Sequence, residues 1–279
     1  MNYQLVKKML SFPNAKINLG LNIVGKRPDG YHDIETIFYP IGIKDALEFV
    51  ESPRVEPDMH ISGIKVDGDI NSNLVMKAYN LLKKDFSLPS LSIYLQKNIP
   101  FGAGLGGGSA DAAFMLVMLN DSFNLQLSDL HLERYAAQLG SDCPFFIRNK
   151  PVFASGRGEV LEEINISLKG KYLVLVKPDI YVSTKDAYAG CKIGLPPVGL
   201  KSIATMPVEQ WKDVMLNDFE HSVFQQFPAI EHIKDKLYQS GAIYASMSGS
   251  GSSVFGIFDE PRDLKSDFSG CFVWDGNLD

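Results

Sequence analysis

Midway through this 279-residue chain, the run Pro100-Phe101-Gly102-Ala103-Gly104-Leu105-Gly106-Gly107-Gly108-Ser109-Ala110 places five glycines where two other patterns meet. Ahead of it, Leu91, Ile93 and Leu95 alternate with polar residues over 91–96, the period of a strand with one buried face. Behind it, 111–119 is apolar on nearly every side, which suits a helix in a domain interior. A flexible linker is not normally wedged between such elements, whereas strand–loop–helix is the setting of a phosphate cradle. Without Cβ atoms the glycines let backbone approach a ligand closely and take φ values that other residues resist. Successive N–H groups in such a turn make a concavity for anions, and the following helix adds unpaired N–H groups and a positive dipole end. Ser109 can cap that helix or offer its hydroxyl to a phosphate or its metal.

The familiar cradles fit unequally. Gly102, Gly104 and Gly107 satisfy G-x-G-x-x-G, but a dinucleotide fold wants an acidic residue ending the next strand, and 125–133 reads as loop and helix. Gly102 and Gly107 also have the spacing of G-x-x-x-x-G-K-[ST], yet Gly108 stands where the lysine belongs. Neither H-R-D nor D-F-G occurs, which removes the protein-kinase pattern.

Elsewhere, Ala15, Ile17, Leu19, Leu21 and Ile23 alternate with Asn14, Lys16, Asn18 and Asn22, a half-buried strand whose polar face, Lys16 included, is expected to meet solvent. Arg27-Pro28-Asp29-Gly30 carries turn chemistry. Strands are expected at 34–40, 46–50, 172–176, 243–247 and 254–258. Helices are expected at 73–84, at 130–139 between a Ser128 cap and Gly140, at 184–189, and over 219–239, where Pro228 breaks or begins a piece. Strands and helices mix without strict alternation, an α+β pattern. A boundary in 150–169 divides it into two lobes, 1–155 and 156–279.

Lysine and arginine number 27 against 33 acidic residues, a net charge of −6, so no global basic field recruits nucleic acid or an anionic membrane. Cys143, Cys191 and Cys271 are far apart and lack metal-ligand spacing; His60, His131, His221 and His232 show none either. Residues 1–12 include Lys7 and Lys8 but no long apolar core, and no stretch reaches the length of a membrane span, so a cytoplasmic location is the expectation. Asp142 follows Gly140 and precedes Cys143-Pro144, which fits either a base beside the core or a cap on a helix starting near Pro144. Tyr31 and His32 follow a turn, where such a pair serves as surface or as a recognition element.

Three separated motifs carry a resemblance that covers most of the chain: Ala15-Lys16-Ile17-Asn18-Leu19, Gly104-Leu105-Gly106-Gly107-Gly108-Ser109 and the segment Met247–Val254 with its second glycine/serine run. Together they resemble the GHMP kinases. Arg27–Asp33 and Gly140–Phe146 are similar to the members of that family acting on 4-diphosphocytidyl-2-C-methyl-D-erythritol (CDP-methylerythritol). The resemblance implies a two-lobed fold, an N-terminal ribosomal-protein-S5-like lobe and a C-terminal ferredoxin-like lobe. It implies ATP as co-substrate with Mg²⁺, and phosphorylation of the 2-hydroxyl on the erythritol part of the acceptor, in the non-mevalonate route to isoprenoid precursors.

By the same resemblance, 100–110 bind the nucleotide, Asp142 is the base, and Lys16 pairs with Asp142 beside the acceptor hydroxyl. Asn18 helps hold Asp142 or the substrate, Tyr31 and His32 contact the cytidine, and Tyr188 is a second stacking partner, although Thr184-Lys-Asp-Ala-Tyr188 departs from the family's proline-containing version. Ser248–Ser253 shapes the donor and acceptor pockets, and Ser109 is the expected metal ligand. The implied partner is a small molecule, with neither nucleic acid nor membrane. Homoserine, mevalonate or sugar acceptors stay open, as does a silent nucleotide-binding regulator, against which the presence of both Lys16 and Asp142 argues.

Overall fold

The computed structural model describes residues 8–65 and 69–278; Lys7 and the outermost residues of the two expected lobes lie outside the described residues. In chain order, β1 (Lys8–Ser11), β2 (Asn14–Lys26), β3 (His32–Lys44), β4 (Ala46–Glu51) and β5 (Asp58–Gly63) precede α1 (Leu74–Asp85) and β6 (Leu91–Lys97). Then come α2 (Gly107–Phe123), α3 (Asp129–Ala137), α4 (Phe145–Arg148), β7 (Val152–Ser155), β8 (Val160–Glu163) and β9 (Tyr172–Lys177). The last part holds α5 (Thr184–Tyr188), α6 (Leu200–Ile203), α7 (Phe219–Gln226), α8 (Pro228–Gln239), β10 (Tyr244–Met247), β11 (Val254–Phe258) and β12 (Phe272–Asn277).

Two compact units result, and neither is continuous in sequence. The first comprises the described part of Met1–Ala15 with Lys44–Phe101 and Gly106–Asn149; the second comprises Lys16–Ile43, Gly102–Leu105 and the described part of Lys150–Asp279. A cut between 155 and 156 would follow chain order, whereas contacts group most of β2 and β3 with later strands because β3 pairs with β7, Ile37 opposite Phe153.

In the first unit the sheet runs β1-β4-β6-β5, antiparallel except for the parallel β5–β6 pair. Helix α2 packs against α1, α3, α4 and β1. Its buried residues, among them Ala110, Ala112, Ala113, Met115, Leu116 and Leu119, lie on several faces, as a helix apolar all round requires. The helix starts at Gly107, inside the glycine run and ahead of the expected residue 111, because left-handed Gly106 (φ 70°) turns the chain into it. Asn73 caps α1 by accepting the Val75 N–H, and Ser128 caps α3 by accepting that of His131, as its sequence position anticipated.

In the second unit one sheet is ordered β2-β3-β7-β8 and another β10-β11-β9-β12, the latter wholly antiparallel. Pro228 opens α8, where the missing N–H costs nothing, and α8 packs on β10 and β11. Among the described residues no helix is long and apolar enough to cross a membrane.

Candidate functional site

Strand β2 alternates as its sequence demands, yet both faces are buried. Lys16 is 3% exposed and Asn18 2%, which corrects the expectation of a solvent-facing lysine. A buried ammonium must be hydrogen-bonded. The Lys16 Nζ donates to Asn18 Oδ1 at 2.7 Å and to the Gly104 carbonyl at 3.2 Å, and it lies 4.8 Å from the centre of the Phe38 ring. The Asn18 amide in turn donates to Thr36 Oγ1 at 2.9 Å, and Thr36 donates to the Gly20 carbonyl at 2.6 Å. Lys16 is therefore oriented by a polar ladder spanning β2 and β3.

Gly104 ties that ladder to the second glycine/serine run. Ser248 Oγ accepts the Asn18 N–H at 3.2 Å and donates to the Gly104 carbonyl at 2.8 Å. A side chain at Gly104 (φ +73°) would start 1.9 Å from the Ser248 carbonyl oxygen, so only glycine fits. The Asn217 amide braces the far side by donating to the carbonyls of Met247 at 2.8 Å and Gly249 at 2.9 Å. Ser248 lies in the second glycine/serine run already singled out by resemblance, whereas Thr36 and Asn217 were missed, each being only a polar residue among apolar neighbours.

In the first unit, no side chain caps α2, since its N-cap is Gly106 rather than Ser109. The N-terminal amides of this 17-residue helix meet the requirement for an anion seat. The Cys143 thiol is pushed up to about 11, chiefly by burial, with the Ser109 side chain opposing the shift. Asp142 is half-buried, 3.5 Å from Ser141 Oγ, and α4 takes Pro144 as its N-cap without a side-chain bond, so the cap expected as Asp142's alternative role is not the one α4 uses.

The sequence reasoning missed a buried ion cluster beside the same helix. Lys97 donates to Asp111 Oδ2 at 2.6 Å and also to Asp45 Oδ2. Asp45 Oδ1 accepts the backbone N–H groups of Asn98 at 2.5 Å and Ile99 at 2.8 Å, fixing the chain just before Pro100. Among the described residues Asp111 Oδ1 has no hydrogen-bond partner. Burial pushes Asp111 up to about 7 despite Lys97; burial pulls Lys97 down, but the two carboxylates outweigh it and hold it above the usual lysine range. A signal was available, because Lys97 falls in register with buried Leu91, Ile93 and Leu95, and Asp111 is an acid in the most apolar part of its helix.

The proposed recognition residues lie in the second unit. The Arg27 N–H donates to the Tyr31 carbonyl at 2.8 Å, and Gly30 takes φ 87° in the turn. Tyr31 is 58% exposed. His32 and Tyr188 stack on each other, centroids 4.5 Å apart and planes 15° from parallel, and Tyr188 meets Phe219 edge-on at 4.8 Å. At that spacing no base fits between His32 and Tyr188, so Tyr31 keeps the open aromatic face. The structure thus brings Lys16, Asn18 and Gly104 together, and separately His32 and Tyr188. His60 pairs with Asp58 at 3.1 Å and stacks on Tyr94, an ordinary surface arrangement.

Comparison with known proteins bears on these observations. Residues 73–150 match the family described as GHMP kinases N terminal domain, and 201–269 that described as GHMP kinases C terminal. A 4-diphosphocytidyl-2-C-methyl-D-erythritol kinase of Bacteroides fragilis is 57% identical over 97% of this chain and 100% of its own length. Its counterpart from Parabacteroides distasonis is also 57% identical, with the same coverage. A crystal structure of 4-(cytidine 5'-diphospho)-2C-methyl-D-erythritol kinase superposes with a TM-score of 0.83 at 29% identity, covering 97% of this chain and 99% of that one.

Two stability experiments follow from the geometry. Lys97→Met strands two buried carboxylates, and we expect a loss of about 3–5 kcal/mol in urea unfolding; a loss below about 1 kcal/mol would show that the cluster does not hold this region together. Gly104→Ala should cost more than the roughly 1–2 kcal/mol of a left-handed residue. Gly108→Ala, whose Cβ meets nothing nearer than 3.8 Å, should leave stability unchanged or slightly raised. Equal unfolding midpoints for the two alanine variants would contradict the close approach at Gly104.

Proposed function

Because the chain belongs to the GHMP kinase family, we infer that it is an ATP-dependent kinase transferring the γ-phosphoryl group to the 2-hydroxyl of 4-diphosphocytidyl-2-C-methyl-D-erythritol, in the non-mevalonate route to isoprenoid precursors. The observation that carries this reading is the 57% identity, running the full length of the Bacteroides fragilis relative, to a kinase of that name. The site chemistry supports it. Phosphoryl transfer needs an in-line hydroxyl, neutralised phosphate oxygens and a group that takes the hydroxyl proton.

Asp142 is the proposed base. Lys16, held by Asn18 and Gly104, would stabilise the charge that develops at the acceptor oxygen, and its fixed position avoids reorganisation during transfer. The stretch 100–110 and the uncapped α2 N-terminus would take the nucleotide phosphates. Tyr31 is proposed to stack on the cytosine, with His32 and Tyr188 forming an adjoining wall.

Mg²⁺ on the nucleotide would neutralise phosphate oxygens. Ser109, in the first turn of α2, is the residue proposed to reach it. One hydroxyl fits that role, because Mg²⁺ keeps several waters and takes substrate phosphates in place of a full protein cage.

ADP release with CDP-methylerythritol, compared with homoserine, mevalonate and simple sugars, tests the acceptor; turnover of any of the latter in preference would overturn the assignment. Asp142→Asn should fold normally and lose about 10²–10⁴-fold in kcat; near-wild-type kcat removes it as base. Lys16→Met should depress kcat more than it raises KM, and a change confined to KM would reassign Lys16 to ground-state binding. For Gly108→Ala, stable by the argument above, we expect the KM for ATP to rise, because the added Cβ would crowd a phosphate that the bare glycine backbone lets approach.

A further inference from the structure

The turn between β7 and β8, Gly156-Arg157-Gly158-Glu159, belongs to none of the motifs used so far. Its construction is specific. Gly156 and Gly158 take φ of +70° and +106°, and the Gly158 N–H donates to the Ser155 carbonyl at 3.1 Å. The Gly156 carbonyl accepts the Ile34 N–H at 2.7 Å, fastening the turn to β3 three residues from Tyr31. Glu159 Oε2 accepts the Arg157 backbone N–H at 2.5 Å, and its Oε1 lies 3.4 Å from Arg157 Nε.

The outcome is an arginine aimed by its own turn. The guanidinium carbon of Arg157 sits 5.2 Å from the centre of the Tyr31 ring, a cation–π distance. Glu159 occupies the Nε edge. Among the described residues the two terminal amino groups make no hydrogen bond, and the side chain is 47% exposed. The neighbouring carboxylates do not compete for it, because Arg27 already bridges Asp29 at 3.5 Å and Asp33 at 3.3 Å. A planar, permanently charged fork with a free edge beside an open aromatic ring matches a nucleotide that presents base and phosphate oxygens together.

We propose that Arg157 determines acceptor specificity by binding the phosphate oxygens of the cytidine diphosphate moiety while stacked on Tyr31, with Glu159 as its positioning residue. The inference rests on the acceptor reading above and adds to it how a charged conjugate is told from a neutral alcohol.

Binding of CDP and of cytidine to wild type, Arg157→Ala and Arg157→Lys, followed by calorimetry or by competition with the conjugate, tests it. CDP affinity should fall about tenfold or more in Arg157→Ala, the size of a lost charge-assisted pair. Cytidine affinity should change less than about twofold, because no phosphate is involved. Arg157→Lys should recover part of the CDP affinity, and the KM for CDP-methylerythritol should rise in Arg157→Ala by a larger factor than kcat falls. Equal weakening of CDP and cytidine would assign Arg157 to shaping the Tyr31 turn and overturn the proposal, as would no change in either. Failure of the acceptor reading looks different: wild type itself would then bind CDP no better than UDP and release no ADP with the conjugate.

Discussion

The Gly104 carbonyl oxygen takes two donors at once, the Lys16 ammonium and the Ser248 hydroxyl. That shared acceptor is the constraint on which this part of the site depends. It can form only because residue 104 lacks a side chain and sits in a left-handed conformation against the Ser248 backbone. Lys16 is then held against Asn18 and the Gly104 carbonyl, and Asn18 is locked between Lys16 and Thr36. Two glycine-bearing segments more than 140 residues apart in sequence are thereby joined through backbone and hydroxyl groups, which carry no charge to compete with an incoming phosphate.

A second constraint acts on the start of the glycine run. The chain lacks the lysine that a Walker loop places among its phosphates. It buries Lys97 beneath the run instead, between Asp45 and Asp111, with Asp45 gripping the amides of Asn98 and Ile99. A buried ion cluster is weak evidence for stability in itself. Here its geometric effect is plain, because the last residues before Pro100 are pinned by a side chain that cannot reorient without exposing a charge to an apolar interior.

Much of the architecture could be read from local pattern. The periodicity of helix α1, the Ser128 cap on α3 and the split at Pro228 came from rules that act over a few residues, whereas Asn73, read as the first helical residue, is the cap of α1. The strand–loop–helix setting of the glycine run was legible because glycines between a strand period and an apolar helix admit few structures. The solvent exposure of Lys16 was misjudged, since alternation along β2 describes which face a residue is on and not what covers that face. Asp45, Lys97 and Asp111 were missed for a related reason: their partnership joins residues 14 to 66 positions apart, and no local rule pairs them. The proposed catalytic role of Lys16 came from family resemblance alone, while Asp142 stood between a base and a helix cap until the resemblance favoured the base.

The pairing of β3 with β7 has a consequence for how the molecule is made. Ile37 lies opposite Phe153, so the partner of an early strand is not synthesised until more than a hundred further residues have been added. At ordinary translation speeds of about 5–20 residues per second, that interval lasts roughly 6–23 seconds. Closing so distant a contact also costs loop entropy that local pairings avoid. Strand β2, which carries Lys16 and Asn18, neighbours β3 and emerges with it, but their sheet is completed only when β7 arrives. Ser248, which closes the ladder on Gly104, comes later still, so the site is assembled late in biogenesis although its first residues emerge early.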